Sequence, residues 1–312
     1  MQFLHSPILI ICILIISLLI IIFLISFYEC KNYEICNLTI NNHKNSFRTK
    51  IVFLSDFHNK LYLNDNKSLI DDILNLNPDY IVFGGDFINY SAVNSLSERV
   101  KYKNTLKFFN DLSEEVKDKA NDSNFNLKKM YFSYGNHELR LIDNISNEKL
   151  NDVYNEFRDS LIENGIELID NNIAILNDGI TLSGLSLYKG YYYNIFKTET
   201  NHKHIDRVIL DKYFKNLDRD SFNIIAFHKP DYADDLINYG FDLVLSGHNH
   251  GGLIKLPFVG SIISPDFRLF TKYCSGLYKI GDKNVIVSDG IGEHFIRIRV
   301  NNRPKIYTIN IV

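Results

Sequence analysis

The stretch Ile51-Val52-Phe53-Leu54-Ser55-Asp56-Phe57-His58 sets four apolar residues before a carboxylate and an imidazole two positions apart. A short apolar run bounded by polar residues reads as a strand buried on both faces. The pattern recurs along the chain. Tyr80-Ile81-Val82-Phe83 runs into Gly84-Gly85-Asp86, and Met130-Tyr131-Phe132 precedes Gly135-Asn136-His137-Glu138. Ile224-Ile225-Ala226-Phe227 ends at His228, and Leu243-Val244-Leu245 leads to Gly247-His248-Asn249-His250. Carboxylate, imidazole and amide groups are thereby carried to the ends of core strands, which is where open α/β sheets build their sites. Two Asp, one Asn and four His offer mixed oxygen and nitrogen donors. Such a set suits divalent first-row metals and is too large for one ion.

Each cluster has a chemical reason. Asp56 and His58 can reach one ion from a single turn. Asp86 follows two glycines, which let backbone come close to a metal or phosphate. Its two oxygens can bridge two cations. Asn136 offers a neutral carbonyl oxygen, and His248 and His250 again stand two apart. Taken singly, an Asp after a strand reads as a helix cap and a His beside one as a core residue. The five clusters in this order carry the functional reading.

The remaining composition narrows the class. With 312 residues and 46% apolar content the chain can bury one large core plus an appendage. A net charge of −3 without a basic stripe argues against a nucleic-acid surface. The four cysteines form no C-x-x-C pair, which argues against a thiolate zinc site. A disulfide between Cys30 and Cys36 is compatible with an oxidising compartment. Helices are expected at residues 67–76, 95–119, 150–161, 204–214 and 231–239, from apolar spacing and stop signals. Residues 166–169, 173–176 and 180–185 read as short strands of an antiparallel edge.

Residues 8–27 are uncharged and apolar, long enough to cross a bilayer as a helix. No basic start or small-residue cleavage site accompanies them, so an uncleaved anchor is expected over residues 1–30. Residues 31–49 would be a linker or first edge strand, and 50–312 the catalytic domain. Lys31, Lys44, Arg48 and Lys50 follow the span, which by charge count favours a cytoplasmic domain. Tyrosines 188 and 191–193 form a loop that could touch lipid.

The segments SDFHN, GGDFIN, YGNHE, FHKPD and LSGHNHGG resemble the five motifs of the calcineurin-like metallophosphoesterases. The resemblance runs from about residue 50 to the C-terminus. It implies an α/β fold: a four-layer αββα sandwich of two mixed sheets, here preceded by one transmembrane helix. It implies two divalent ions, drawn from Mn, Fe, Zn or Co. Asp56, His58 and His250 would hold the first, Asn136, His228 and His248 the second, and Asp86 would bridge them. His137 would be the acid beside the leaving group. A hydroxide between the metals would attack a phosphodiester, phosphomonoester or pyrophosphate.

Protein phosphatases of the superfamily carry Asp-Arg-Gly after the second motif and Arg before the third. Phe87-Ile88-Asn89 and Tyr134 stand here instead, which argues against phosphoprotein substrates. The span and the tail, with Gly290, Gly292, Arg297 and Arg299, are similar to a membrane-anchored bacterial subgroup, UDP-2,3-diacylglucosamine pyrophosphatase-like. That likeness implies a phosphate ester that can be lipid-linked, and it favours an extracytoplasmic domain. A nucleotide phosphodiesterase and a membrane-tethered metal-binding scaffold without turnover are the alternatives. Oligomeric state is not specified by these features.

Overall fold

The apolar runs become two six-stranded sheets packed face to face. A computed structural model describes residues 7–94, 102–177, 179–192, 203–256, 258–265, 267–293 and 298–312. The first sheet contains β1 (Glu34–Ile40), β2 (Thr49–Leu54), β3 (Tyr80–Phe83), β4 (Lys129–Phe132) and β5 (Ile166–Leu168). The last strand of the chain, β14 (Lys305–Ile311), is inserted between β1 and β2. The run from β2 to β5 is parallel, and β14 is antiparallel to β2.

The second sheet is built from β6 (Asn172–Asn177), β7 (Ile180–Gly184), β8 (Phe222–Ala226) and β9 (Leu243–Ser246). The hairpin of β12 (Gly276–Ile280) and β13 (Lys283–Val287) completes it. A separate two-stranded hairpin joins β10 (Ile254–Leu256) to β11 (Gly260–Ile263).

Period-two alternation builds the layers. Ile51, Phe53 and Val82 point into the space between the sheets, where they meet Ile224, Ala226 and Leu245. Val52, Leu54 and Phe83 point outward under α2 (Lys67–Asn75), α4 (Lys103–Lys119) and α6 (Glu148–Glu163). On the far side, Ile225, Val244 and Val285 pack with α7 (Arg207–Phe214) and α8 (Ala233–Tyr239). The result is the expected four-layer α/β sandwich. In α6 the Asn147 side chain caps the first turn by accepting from the Leu150 N–H, and Gly165 follows the helix at φ +69°.

Three local expectations change. The helix expected from residue 95 starts at Lys103, after a short helix α3 (Tyr90–Asn94), and residues 95–101 lie outside the described residues. β5 leaves the antiparallel edge and pairs in parallel with β4 in the first sheet, because Gly165 turns the chain back beside that strand. Of the three strands expected there, β6 and β7 alone form the antiparallel edge. All four cysteines are free, so Cys30 and Cys36 are not bonded to each other.

The segment after the apolar run contains an edge strand, since β1 pairs with β14 along its whole length. The N-terminal run is the helix α1 (Pro7–Lys31), about 37 Å long at 1.5 Å per residue. It is long and apolar enough to cross a membrane.

Candidate metal centre

Every motif lies just beyond the carboxyl end of its strand. β2 leads to Asp56 and His58, β3 to Asp86, and β4 to Asn136 and His137 at the start of α5 (Asn136–Ile142). β8 leads to His228, and β9 to His248 and His250. The first sheet therefore delivers both carboxylates and the amide, and the second delivers imidazoles only.

The loops touch because glycines let them. A Cβ on Gly85 would run into the backbone of Gly135, and one on Gly135 would strike the Asp86 carboxylate. Backbone bonds carry the β2–β3 pairing on past the strands: Asp56 N–H to Gly85 O at 2.9 Å, and His58 N–H to Asp86 O at 3.0 Å. Asp56, His58, Asp86, His248 and His250 all adopt left-handed backbone, with φ of 57°, 47°, 56°, 69° and 47°. Such conformations cost L-residues on the order of 1–3 kcal/mol each and cluster where side-chain direction matters more than local comfort.

The side chains converge. His58 Nε2 lies 3.0 Å from His250 Nε2, which lies 3.4 Å from Asp56 Oδ1. His228 Nε2 stands 3.0 Å from Asp86 Oδ2. His248 Nδ1 is 2.8 Å from Asn136 Oδ1. Three overlapping groups could each hold an ion: Asp56, His58 and His250; His58, Asp86 and His137; Asp86, His228 and His248. Within each group the ligand atoms lie within 4.8 Å of one another. The donor set fits a divalent metal on an independent ground: Asp56 Oδ2 is buried and accepts no hydrogen bond.

Second contacts orient these groups. His228 Nδ1–H donates to Gly84 O at 2.7 Å, leaving Nε2 as the nitrogen that could take a metal. The Tyr90 N–H donates to His137 Nδ1 at 2.8 Å. A backbone N–H can only donate, so Nδ1 is the acceptor and the proton of neutral His137 sits on Nε2, 3.9 Å from Asp86 Oδ2.

Electrostatics follow from burial and opposite charge. Burial and Asp86 act on Asp56 to raise its carboxyl to about 6, with His228 pulling the other way. Burial would raise Asp86 too, but His228, His137 and His58 hold it well below the usual carboxylate range. His228 loses solvation, yet Asp86 and Asp56 raise its imidazolium to about 9.

Two residues in the motifs carry functions that spacing did not suggest. Glu138 is buried and accepts four backbone N–H bonds, from Asp86, Phe87, Ile88 and Gly135, at 2.8–3.0 Å. It clamps the second motif onto the third. Lys229, also buried, places Nζ 3.1 Å from His248 Nε2 and 3.6 Å from Asp231 Oδ2. A sixth polar cluster, Ser288-Asp289-Gly290 after β13, was visible as another strand-end motif. Asp289 is buried, held by Lys255 and Tyr307, and its backbone supports the turn at His250 through Arg299.

Other sequence expectations land elsewhere. The Arg299 guanidinium donates to backbone carbonyls, those of Asp289, Gly292 and Asn302 among them. Arg297 of the tail lies outside the described residues. Tyr191 and Tyr192 are buried, with the Tyr192 ring 6.0 Å from that of His248, so this part of the tyrosine loop faces the domain. Tyr188 is exposed, and Tyr193 lies outside the described residues.

Comparison with known proteins agrees with this geometry. Residues 49–252, more than half of the chain, match the family described as calcineurin-like phosphoesterase. The uncharacterized metallophosphoesterase YkuE of Bacillus subtilis (strain 168) is 32% identical over 141 residues, 43% of this chain and 49% of that protein. This chain thus spans about half the length of that relative. Phosphodiesterase YaeI of Escherichia coli (strain K12) is 25% identical over 273 residues, 84% of this chain and 82% of that one. Among solved structures, TT1561 of Thermus thermophilus superposes with a TM-score of 0.45 at 13% identity, over 79% of this chain and 92% of that one. The chain belongs to the calcineurin-like phosphoesterase family.

Proposed function

We propose that the protein is a membrane-anchored phosphoester hydrolase with two divalent metals. Residues 1–30 are the anchor, 31–49 join it to the first sheet, and 50–312 are the catalytic domain. Asp56, His58 and His250 hold one metal and Asn136, His228 and His248 the other, with Asp86 between them. The observation that carries this reading is a chain of adjoining donor groups: His58 belongs with Asp56 and His250 and also with Asp86, and Asp86 belongs in turn with His228 and His248. Ions in such a pair lower the pKa of a shared water and draw off the charge that builds on phosphate.

The protein's own residues do the rest. Asp86 gives one oxygen to the centre while Oδ1 accepts the His137 N–H at 2.8 Å, fixing where α5 begins. His137 keeps its proton on Nε2, facing the centre, and delivers it to the departing oxygen. Glu138 holds both loops still during that transfer. A phosphodiester is the preferred substrate class, supported by the name of the Escherichia coli relative. The apolar helix supports a lipid-linked phosphate or pyrophosphate, as in a UDP-2,3-diacylglucosamine pyrophosphatase-like reaction, with the domain on the extracytoplasmic side.

The test is turnover by the full chain in detergent with Mn²⁺. Bis(p-nitrophenyl) phosphate should be hydrolysed, and chelation should remove that activity reversibly. A lipid pyrophosphate and a cyclic nucleotide, compared at equal metal loading, then rank the substrates. Turnover that survives chelation would overturn the metal assignment.

A further inference from the structure

The last turns of α1 are hydrogen-bonded into the catalytic domain. Ser26 Oγ accepts the Arg299 N–H at 3.0 Å, and Glu29 Oε2 accepts the Asn302 N–H at 2.9 Å. Asn302 Nδ2 donates in turn to His250 O at 2.8 Å. The helix end and the turn of a proposed metal ligand are therefore one bonded unit.

The bonding continues sideways. Val300 pairs with β10, through Lys255 N–H to Val300 O at 3.0 Å and Val300 N–H to Leu253 O at 3.2 Å. β10 pairs with β11, and Ile263 at the end of β11 bridges to Leu269. Moving outward from α1 along this ladder, the exposed side chains are Leu256, Phe258, Val259, Phe267, Leu269 and Phe270. Six large apolar side chains clustered in two adjacent loops are not what water-facing turns carry. Among the described residues, the basic side chains of this segment are paired: Arg268 with Asp231 and Lys272 with Asp234.

The end of α1 carries an interfacial signature. Lys31 lies 4.1 Å from the Phe27 ring centroid, and the Arg303 guanidinium lies 5.1 Å from that of Tyr28. A cavity of about 480 Å³ adjoins the same helix end, lined by Phe23, Phe27, Leu61 and Leu63 with Lys31 and Lys60.

We infer that the β10–β11 hairpin and the 267–270 loop form a second membrane contact, sinking their apolar side chains into the bilayer beside α1. The inference rests on α1 being a membrane span. Its occupant is the lipid surface, because the patch is tied, by backbone hydrogen bonds and then by the Ser26 and Glu29 side chains, to the helix that enters the bilayer. The functional consequence is geometric. Ile254 at the start of the hairpin lies four positions after His250, a reach of at most about 14 Å. The centre is thus held close to the headgroup layer in a fixed attitude, suited to a phosphate whose apolar part stays in the membrane.

The chain has no Trp, so one introduced residue reports alone. Full-length protein would be reconstituted in phosphatidylcholine–phosphatidylglycerol vesicles whose acyl chains are brominated near the headgroup. Phe258→Trp should lose most of its emission to the bromines, Phe23→Trp in the span should do the same, and Val208→Trp on exposed α7 should not. If the span reporter is quenched and the hairpin reporter is not, the docking patch is refuted while the anchor stands. If neither is quenched, the anchor reading fails and takes the patch with it. Hairpin emission that blue-shifts with protein density but ignores brominated lipid would assign the patch to a second copy of the chain, also overturning the inference. A paired variant, Phe258→Ser with Phe270→Ser, should slow hydrolysis of a vesicle-embedded phosphodiester several-fold and leave soluble bis(p-nitrophenyl) phosphate turnover unchanged. Equal loss on both substrates would count against docking.

Discussion

The two sheets contribute unlike chemistry to one site. The carboxyl ends of β2, β3 and β4 bring Asp56, Asp86 and Asn136 together with His58 and His137. The ends of β8 and β9 bring His228, His248 and His250. The anionic half and the imidazole half face each other across the site: His228 Nε2 sits between Asp86 Oδ2 at 3.0 Å and Asp56 Oδ1 at 3.7 Å, while Asp56 Oδ2 is left without a hydrogen bond. Neither sheet has a complete ligand set alone. The lesson is that the donor groups come together only when the sheets pack, since each of the three groups or its neighbour draws on both.

The largest break in this comparison is Asp86→Ala. It removes the carboxylate that belongs to two of the three donor groups and leaves the His228 imidazolium buried without its nearest counter-charge. Hydrolysis of bis(p-nitrophenyl) phosphate should fall to background and metal content, read by plasma mass spectrometry, should drop. Retained turnover would end the bridging assignment.

His137→Ala touches only the first sheet's side of the chemistry. We expect kcat to fall by about 10²–10⁴, with metal content intact. A variant that loses metal as well would make His137 a ligand and not an acid.

Glu138→Gln separates support from chemistry. Each carboxylate oxygen accepts two N–H groups, so an amide turns its NH2 toward two of the four donors and weakens the bonds from the other two, costing about 1.5–3 kcal/mol. Denaturant midpoints of metal-free protein report this cost, and an unchanged midpoint would deny Glu138 its clamping role.

The subtlest prediction is a difference in pH dependence. In the metal-free fold His228 is raised from its ordinary 6.5 to about 9. Its pairing with Asp86, which stays ionised, therefore contributes full stability below about pH 6.5, and that contribution is lost as pH rises toward 9. Metal binding displaces the same proton, so affinity should rise over that interval while metal-free stability declines. Parallel thermal melts with and without Mn²⁺ at several pH values would show the two curves diverging. Curves that stay parallel would mean that His228 does not exchange a proton for a cation.

Much of the fold was legible because its strands are short apolar runs and its site residues follow them directly. The helix around Val153, Phe157 and Leu161 was equally legible, since its apolar spacing survives burial without ambiguity. Long-range pairing was not. β1 and β14 come from opposite ends of the chain, and no local pattern announces that they are neighbours. β5 reads like the strands after it, and only the turn at Gly165 and the open edge of β4 draw it into the first sheet. Glu138 hid in plain view, because an acidic residue in the first turn of a helix is ordinary there. The tyrosine loop drew attention by composition, but Tyr191 and Tyr192 are buried, and the exposed apolar side chains are those around Phe258 and Phe270.

Local order along the chain thus determined which strands exist, what polar groups cap them, and that one apolar helix precedes them. Those properties depend on neighbours a few positions away. The tertiary structure alone decided that Asp86 stands between His58 and His228, that four amides converge on Glu138, and that Ser26 and Glu29 bind the loop carrying Arg299 and Asn302. Each of those depends on packing two sheets and a helix whose contacting residues lie tens to hundreds of positions apart, where only the shape of the filled core sets the distance.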